Sequence, residues 1–306
     1  MKSYYDRPLL KGPHWGSNVV TYLFLGGIMG GLGLISLLSD DRPEPAMKKL
    51  RKTTRYTAFA LAAINPPILI SHLGRPERFL NMLRIVKFKS PMSLGVWGLV
   101  LYSGAAGANA LRELADDGVV PKILRHLAPN ATVPIQALLG AFMAGYTGVL
   151  ISATAIPLWA AGKRHIPAFS VCSGAASASA LATLLSTLQG NHEVLPRLER
   201  LEMAASALEI AAIADFRKRG GLATAPLFEG RIGKRLRNYT ILGGIVVPFA
   251  LNAIGGAVKL PKSIDALRSI AASTLTLIGG YVLRESLIEA GKLSANDPQV
   301  AFRQPS

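Results

Sequence analysis

The stretch NVVTYLFLGGIMGGL, residues 18–32, lies inside a run without formal charges that extends from residue 12 to residue 39. At 1.5 Å per residue, about 20 residues cross the roughly 30 Å hydrocarbon layer, so the run predicts a membrane-spanning helix. No small-residue cleavage site precedes soluble sequence, so we expect the span to be retained.

This first span also carries small and polar residues with regular spacing. Two overlapping pairs of glycines four positions apart allow a neighbouring backbone to approach closely in lipid. They are Gly26, Gly27, Gly30 and Gly31. Asn18 and Tyr22 share one face near the start of the span. The pattern predicts a tightly packed helix with a polar site near one end.

Composition and charge distribution indicate an all-α membrane protein. Half of the 306 residues are hydrophobic and only 17% are charged, whereas a soluble domain carries roughly a quarter. The net charge of +16 could indicate nucleic-acid binding, but no zinc-finger spacing, RNP-like pattern or basic recognition helix accompanies it. We therefore predict no nucleic-acid partner and expect the basic loops to contact anionic membrane lipid or an acidic protein.

Seven further segments bring the predicted count to eight transmembrane helices. They cover residues 56–74, 90–111, 134–159, 167–189, 195–213, 238–258 and 269–283. The second contains Pro66 and Pro67, which predict a kink. The last is short, so it needs flanking residues and snorkelling of Arg268 and Arg284 towards the headgroups.

The sixth segment is interrupted by acidic residues that form one helical stripe. Glu199, Glu202, Ser206 and Glu209 fall at positions i, i+3, i+7 and i+10. Between membrane spans, such a stripe is expected to face the bundle interior or a water-filled path. The alternative is that the glutamates pair structurally with Arg197 and Arg200.

Histidine and cysteine are placed in ways that do not favour a metal centre. The five histidines, among them His126, His165 and His192, sit at span edges or in loops, which does not suit membrane haem. Cys172 is the single cysteine and cannot hold an iron–sulfur cluster. We therefore predict no metal, haem or cluster in this chain.

His72 and Arg75 lie at the end of the second span and have two interpretations. They could anchor the helix among lipid headgroups. They could instead line the mouth of a site, where Arg75 offers a rigid donor fork and His72 exchanges protons near neutral pH. Asn18 and Tyr146 are likewise compatible with helix packing or with a binding site.

Several motifs together resemble one membrane family. They are HWGSN at residues 14–18 leading into YLFLGG at 22–27, SHLGRPERFLNMLR at 71–84, KSPMSLGVWG at 89–98 and GYTG at 145–148. The chain resembles the NrfD-like membrane subunits of polysulfide reductase and related complexes. The first half carries these motifs, and the second half matches mainly in its span pattern.

The resemblance implies an architecture and a set of partners. It implies two four-helix bundles, at about residues 12–160 and 165–290, in a bacterial inner (cytoplasmic) membrane. It also implies a site for menaquinone or ubiquinone near the periplasmic face, against an iron–sulfur subunit. That subunit serves a molybdopterin catalytic subunit or a multihaem cytochrome. The family places the N-terminus on the periplasmic side, although the count of lysines and arginines weakly favours the cytoplasm.

The resemblance also implies site residues. The family asparagine on the first helix corresponds to Asn18, and the tyrosine on the fourth helix corresponds to Tyr146. The family histidine position is Thr21 here, so His14 or His72 would have to take over proton exchange. His72 and Arg75 would border the site.

These observations give one hypothesis and two rivals. The hypothesis is a quinol/quinone-interacting membrane subunit of a multi-subunit oxidoreductase, with Glu199, Glu202 and Glu209 as a possible proton path. One rival is a secondary transporter, because broken helices and intramembrane carboxylates also form transport sites. The other is a membrane anchor that binds no quinone.

Overall fold

The chain folds into long helices joined by short connections. The structure, a computed structural model, describes residues 15–71 and 77–296, and these contain no β-strand. Eight helices in this part of the chain have at least 18 residues, and we number them α1 to α8. Their bounds are Ser17–Asp40, Pro45–Ser71, Pro91–Asp116, Thr132–Ser152, His165–Leu188, Leu195–Arg219, Gly230–Ala257 and Lys262–Asn296.

Six of these helices are long and apolar enough to cross a membrane, namely α1, α3, α4, α5, α7 and α8. The predicted all-helical, multi-pass membrane protein is therefore confirmed. The other two carry more charge, because basic residues occupy the first half of α2 and glutamates interrupt α6. That α2 and α6 also span the membrane remains a prediction.

The predicted fourth span, residues 134–159, is divided in the structure. Helix α4 ends at Ser152, and a short separate helix covers Pro157–Ala161. Pro157 occupies the first turn of that helix, where its missing amide hydrogen is tolerated. Trp159 is fully buried, and its indole nitrogen donates a hydrogen bond to the Leu287 carbonyl at 2.9 Å. The segment after α4 is thus fixed against α8.

Helices α2 and α8 exceed their predicted segments by the largest margins. Helix α8 has 35 residues, and α2 begins at Pro45 and continues through Pro66 and Pro67. Pro66 has no backbone amide hydrogen, so it cannot donate a hydrogen bond to the carbonyl of Ala62 one turn earlier. The Ser103 hydroxyl of α3 lies 3.5 Å from that carbonyl oxygen, but its shorter hydrogen bond, at 2.7 Å, goes to the Leu99 carbonyl of its own helix.

The helices pack in chain order, with α1 at the centre. Helix α1 packs against α2 and α4, and α3 packs against α2 and α4. In the rest of the chain, α5 packs against α6 and α8, and α7 packs against α8. Helix α1 also packs against α5 and α8, so it contacts both groups.

The glycines of α1 form two contact faces, as their spacing predicts. A side-chain carbon on Gly30 would collide with the Gly140 backbone of α4. A carbon on Gly27 would lie 3.3 Å from the Gly174 Cα of α5. Both neighbours therefore approach the α1 backbone more closely than larger residues would allow.

Buried charges join α1, α2 and α3 at the end of the bundle opposite Asn18. Arg55 is 1% exposed and makes ion pairs with Asp40 and Glu113, the latter at 2.6 Å. Arg51 also donates to Glu113 at 2.8 Å. Because both Arg55 and Glu113 are removed from solvent, this cluster fixes the three helix ends relative to one another.

We predict that Gly140→Ala destabilises the protein by about 1–3 kcal/mol, because the added methyl meets a backbone carbonyl that cannot rotate away. The matched control is Gly104→Ala in α3, where nothing lies within 4 Å of an added carbon. Thermal unfolding in mild detergent provides the measurement. Equal midpoints for the two variants would rule out the proposed role of the α1–α4 contact.

Candidate functional site

The first turn of α1 is attached to the end of α2. Asn18 is exposed, and its amide nitrogen donates a hydrogen bond to the Ser71 hydroxyl at 3.2 Å. Ser71 in turn donates to the Ile68 carbonyl of its own helix at 2.8 Å. His72 and Arg75 come directly after this point, but they and His14 lie outside the described residues.

The Ser-Pro-Met-Ser motif forms the start of α3 at the same end. The Ser90 hydroxyl accepts a hydrogen bond from the Ser93 amide at 3.4 Å, and Pro91 occupies the first turn. The Ser93 hydroxyl accepts from the Lys87 amide at 3.0 Å. This local arrangement fixes the first turns of α3, including Gly95.

Tyr146 of α4 is held over that glycine. A side-chain carbon on Gly95 would collide with the ring and the hydroxyl of Tyr146, so the phenol lies directly on the α3 backbone. Phe142 stacks on the Tyr146 ring with centroids 5.6 Å apart. The tyrosine is 5% exposed, and its hydroxyl has no hydrogen-bond partner among the described residues.

Asn18 and Tyr146 lie in the same half of the first four helices, with Thr147, the neighbour of Tyr146, beside Gly26 and Asn18 two turns nearer the start of α1. Helices α1 and α4 run antiparallel, since Gly33 lies against Gln136 and Gly26 against Thr147. The last turns of α4 are therefore beside the first turns of α1. No hydrogen bond joins Asn18 directly to Tyr146 in the described part of the chain.

Thr21 and Tyr22 both carry hydroxyl groups near the start of α1, but their side chains lie in different surroundings. The Thr21 hydroxyl donates to the Ser17 carbonyl at 2.9 Å, so it is used within its own helix. Tyr22 is 2% exposed and belongs to the same apolar cluster as Tyr146. The four-residue spacing of Tyr22 from Asn18 was the sequence signal that pointed to this residue.

A buried polar row leads away from this end through α3 and α4. The Asn109 amide donates to the Gln136 carbonyl oxygen at 2.6 Å, and Gln136 donates to the Tyr102 hydroxyl at 3.3 Å. Tyr102 donates to the Met29 carbonyl of α1. Sequence patterns did not identify this row, because its members come from three helices.

The acidic stripe of α6 faces the interior of the helix bundle, as its spacing predicts. Glu199, Glu202, Ser206 and Glu209 are 5%, 1%, 3% and 3% exposed, respectively. Glu199 accepts hydrogen bonds from Arg268 at 2.8 Å and from the Ser269 hydroxyl at 2.6 Å. Its charge is therefore paired by α8.

Further along α6, the other two glutamates meet different partners. Glu202 accepts from the Thr276 hydroxyl at 2.6 Å, and its second oxygen has no described partner. Glu209 faces Ser173 of α5 and Arg284 of α8. Arg284 donates to the Ser173 hydroxyl at 2.6 Å and to the Gly280 carbonyl at 2.8 Å.

One prediction about arginines is wrong, and one alternative is not observed. Arg268 and Arg284 do not snorkel, because they are 9% and 4% exposed and point into the interior, where carboxylates and hydroxyls receive them. The glutamates also do not pair with the nearby arginines of α6. Arg197 lies 3.9 Å from Glu44, and Arg200 donates to the Pro196 carbonyl at 3.0 Å.

Metal-binding side chains are dispersed in the described residues. No group of three or more His, Cys, Asp or Glu side chains there is close enough to hold a metal ion. Cys172 is partly buried in α5.

We predict that Arg268→Gln destabilises the protein by about 3–5 kcal/mol, because it leaves the Glu199 carboxylate buried without its cation. Arg125→Gln is the control, since that arginine is 54% exposed in its pair with Asp116 and should contribute less than about 1 kcal/mol. Thermal unfolding in detergent measures both. The double variant Arg268→Gln/Glu199→Gln should recover much of the loss, and failure to do so would contradict the pairing.

Comparison with known proteins agrees with the motifs. No curated protein matches the chain. The family model described as "Polysulphide reductase, NrfD" matches residues 10–296, which is nearly the whole chain. The resemblance inferred from the motifs is therefore confirmed, and the chain belongs to the NrfD polysulphide reductase family.

Proposed function

We propose that this protein is the quinone-interacting membrane subunit of a multi-subunit oxidoreductase in a bacterial inner membrane. Its eight long helices would all span the bilayer as two four-helix bundles, α1–α4 and α5–α8. The observation that carries the proposal is the Tyr146 hydroxyl, held on the Gly95 backbone in the half of the bundle that also carries Asn18.

The residues at this end fit the chemistry of a quinone ring. Such a ring is flat and largely apolar, with a carbonyl oxygen at each end that accepts hydrogen bonds. Here the neutral donors are the amide of Asn18 and the hydroxyls of Tyr22 and Tyr146, next to the apolar side chains of Val19 and Val20. Neutral donors in apolar surroundings are the usual lining of small-molecule sites.

Each residue would have a distinct task. Asn18 and Tyr146 would donate hydrogen bonds to the two ring oxygens and fix the ring position, while Thr21 remains bonded to its own helix. When bound, a quinone supplies two-electron, two-proton redox chemistry. His72, with His14 as the alternative, would exchange protons at the mouth of the site and Arg75 would supply a fixed charge, roles that rest on the family resemblance.

An iron–sulfur subunit is the proposed electron-transfer partner, with a molybdopterin subunit or a multihaem cytochrome behind it. Exposed cations support docking of an acidic partner at the same end of the molecule. They lie where α5 begins and α6 ends, at Lys163, Arg164, Arg217, Lys218 and Arg219. Opposite charges speed encounter and orient the docked protein.

The glutamates of α6 are the proposed proton path. The row from Glu199 through Glu202 to Glu209 ends at Arg284, whose Nη2 would lie 3.0 Å from a carbon added to Gly27 of α1. The row therefore reaches α1 little more than one turn from Tyr22. The buried hydroxyls of Ser177 and Ser273, which have no hydrogen-bond partner in the described part of the chain, add positions where protons could be relayed.

We predict that Tyr146→Phe and Asn18→Ala each lower quinol turnover about tenfold, because each removes one hydrogen bond to a ring oxygen. Tyr239→Phe on the exposed face of α7 is the matched control and should not change turnover. The assay uses the complex purified through a tag on this chain, with its subunits identified by mass spectrometry and reduced menadione as electron donor.

The rival functions predict other results in that assay. A membrane anchor predicts unchanged turnover in Tyr146→Phe and Asn18→Ala. A transporter predicts recovery of the chain without a redox partner, together with substrate-dependent uptake into proteoliposomes.

We predict that Glu202→Gln and Glu209→Gln lower the number of protons moved per quinol oxidised in sealed vesicles. Glutamine keeps the side-chain shape but cannot release a proton. Glu193→Gln, an exposed position before α6, is the control. A pH-sensitive dye measures proton movement, and wild-type proton yields in both variants would exclude this path.

A further inference from the structure

A groove opens to the surface where α1, α2 and α6 meet, at the end opposite Asn18. Its volume is about 570 Å³. Its walls are apolar and include Ile35, Met47 and Leu198. Its rim carries three arginines, Arg42, Arg197 and Arg200. We call this cavity the arginine groove.

The charge around the arginine groove is mostly unopposed. Arg197 has one carboxylate nearby, Glu44, at 3.9 Å, and both side chains are about half exposed. The Arg200 Nε donates to the Pro196 carbonyl, which leaves its terminal nitrogens without a partner among the described residues. Among the described residues, Glu44 is the one carboxylate within 4 Å of these three guanidinium groups. Arginine forks bind phosphate oxygens with matching geometry.

A second, wholly apolar cavity continues along the same face of α1. Its volume is about 500 Å³, and it is lined by Phe24 and Ile28 of α1, Leu61 of α2, Leu181 of α5 and Leu277, Ile278 and Tyr281 of α8. Ile28 and Ile35 are seven residues apart, so they lie on one face with about 10 Å between their levels. Leu32 between them is fully buried, so the two cavities are separate inside the protein. We call the lipid-facing surface beside α1 that carries both cavities the seam.

The seam is open to lipid rather than enclosed. Leu38 beside the arginine groove is 63% exposed, and Ile278 in the apolar cavity is 48% exposed. A soluble anion would need the arginines but not the apolar channel. A neutral lipid would fill the channel but leave the arginines unused.

We propose that this seam binds an anionic phospholipid, with its headgroup phosphate on Arg42, Arg197 and Arg200 and one acyl chain running from the exposed Leu38 along the lipid-facing surface to Ile278. The proposal does not depend on quinone binding, because the groove lies at the opposite end of the protein from Asn18. The bound lipid fills the boundary between α1 and α6 and contacts both groups of helices.

The test is native mass spectrometry of the full chain in mild detergent with added dioleoyl-phosphatidylglycerol or dioleoyl-phosphatidylcholine. The wild-type protein should retain phosphatidylglycerol preferentially. The variant Arg42→Gln/Arg197→Gln/Arg200→Gln should lose that preference by about tenfold or more, since each cation near an anionic lipid contributes about fivefold.

A charge-matched control distinguishes binding at the arginine groove from nonspecific electrostatic attraction of the anionic lipid. Lys122→Gln/Lys259→Gln/Lys262→Gln removes three exposed cations at the same end of the molecule and should leave the preference unchanged. An equal loss in both triple variants would overturn the proposal. So would an unchanged preference in the arginine variant.

A second variant tests the acyl channel independently of charge. Ile278→Trp fills the apolar cavity from a lipid-exposed position, so it should lower phosphatidylglycerol retention several-fold without preventing folding. Full retention in this variant would contradict the channel. Displacement of the lipid by millimolar inorganic phosphate would also overturn the proposal, because it would show a site for the anion alone.

Discussion

The close approach of α1 to two neighbours at once is the constraint on which the rest of the structure depends. In lipid, apolar surfaces gain little by leaving their surroundings, so helices associate through tight packing and polar contacts. Gly30 allows the α4 backbone to touch α1, and Gly27 allows the α5 backbone to do so on another face. Larger residues at these positions would separate the two groups of helices and displace the polar side chains that flank α1.

The Asn18 end of the first group of helices and the interior of the second group carry different polar side chains. The α1–α4 end with Asn18 and Tyr146 offers neutral donors, whereas α5–α8 contain paired charges such as Glu199 with Arg268. A neutral lining suits an uncharged ring, and a row of ionisable groups suits transfer of charge across the bilayer. Arg284 connects the two environments through its position against α1.

Sequence patterns predicted helices and faces more reliably than contacts between distant residues. Lack of charge identified six apolar helices, and the spacing of Glu199 and Glu209 correctly placed both on a buried face. The same logic failed for Arg268, because a cation near a span end is equally compatible with a headgroup and with an interior carboxylate. Only tertiary packing supplies that carboxylate, and it likewise brings the Tyr146 hydroxyl to Gly95.

The buried acidic face of α6 has a consequence for insertion of the protein into the membrane. A single charged residue at the centre of an inserting helix costs about 2.5–3.5 kcal/mol, and α6 carries three buried glutamates. Arg268, which pairs with Glu199, and Arg284, which faces Glu209, belong to α8, which emerges later from the ribosome. If α6 spans the membrane, as we predict, these cations are absent while it is first inserted. We therefore expect stable insertion of α6 to require the arrival of α8.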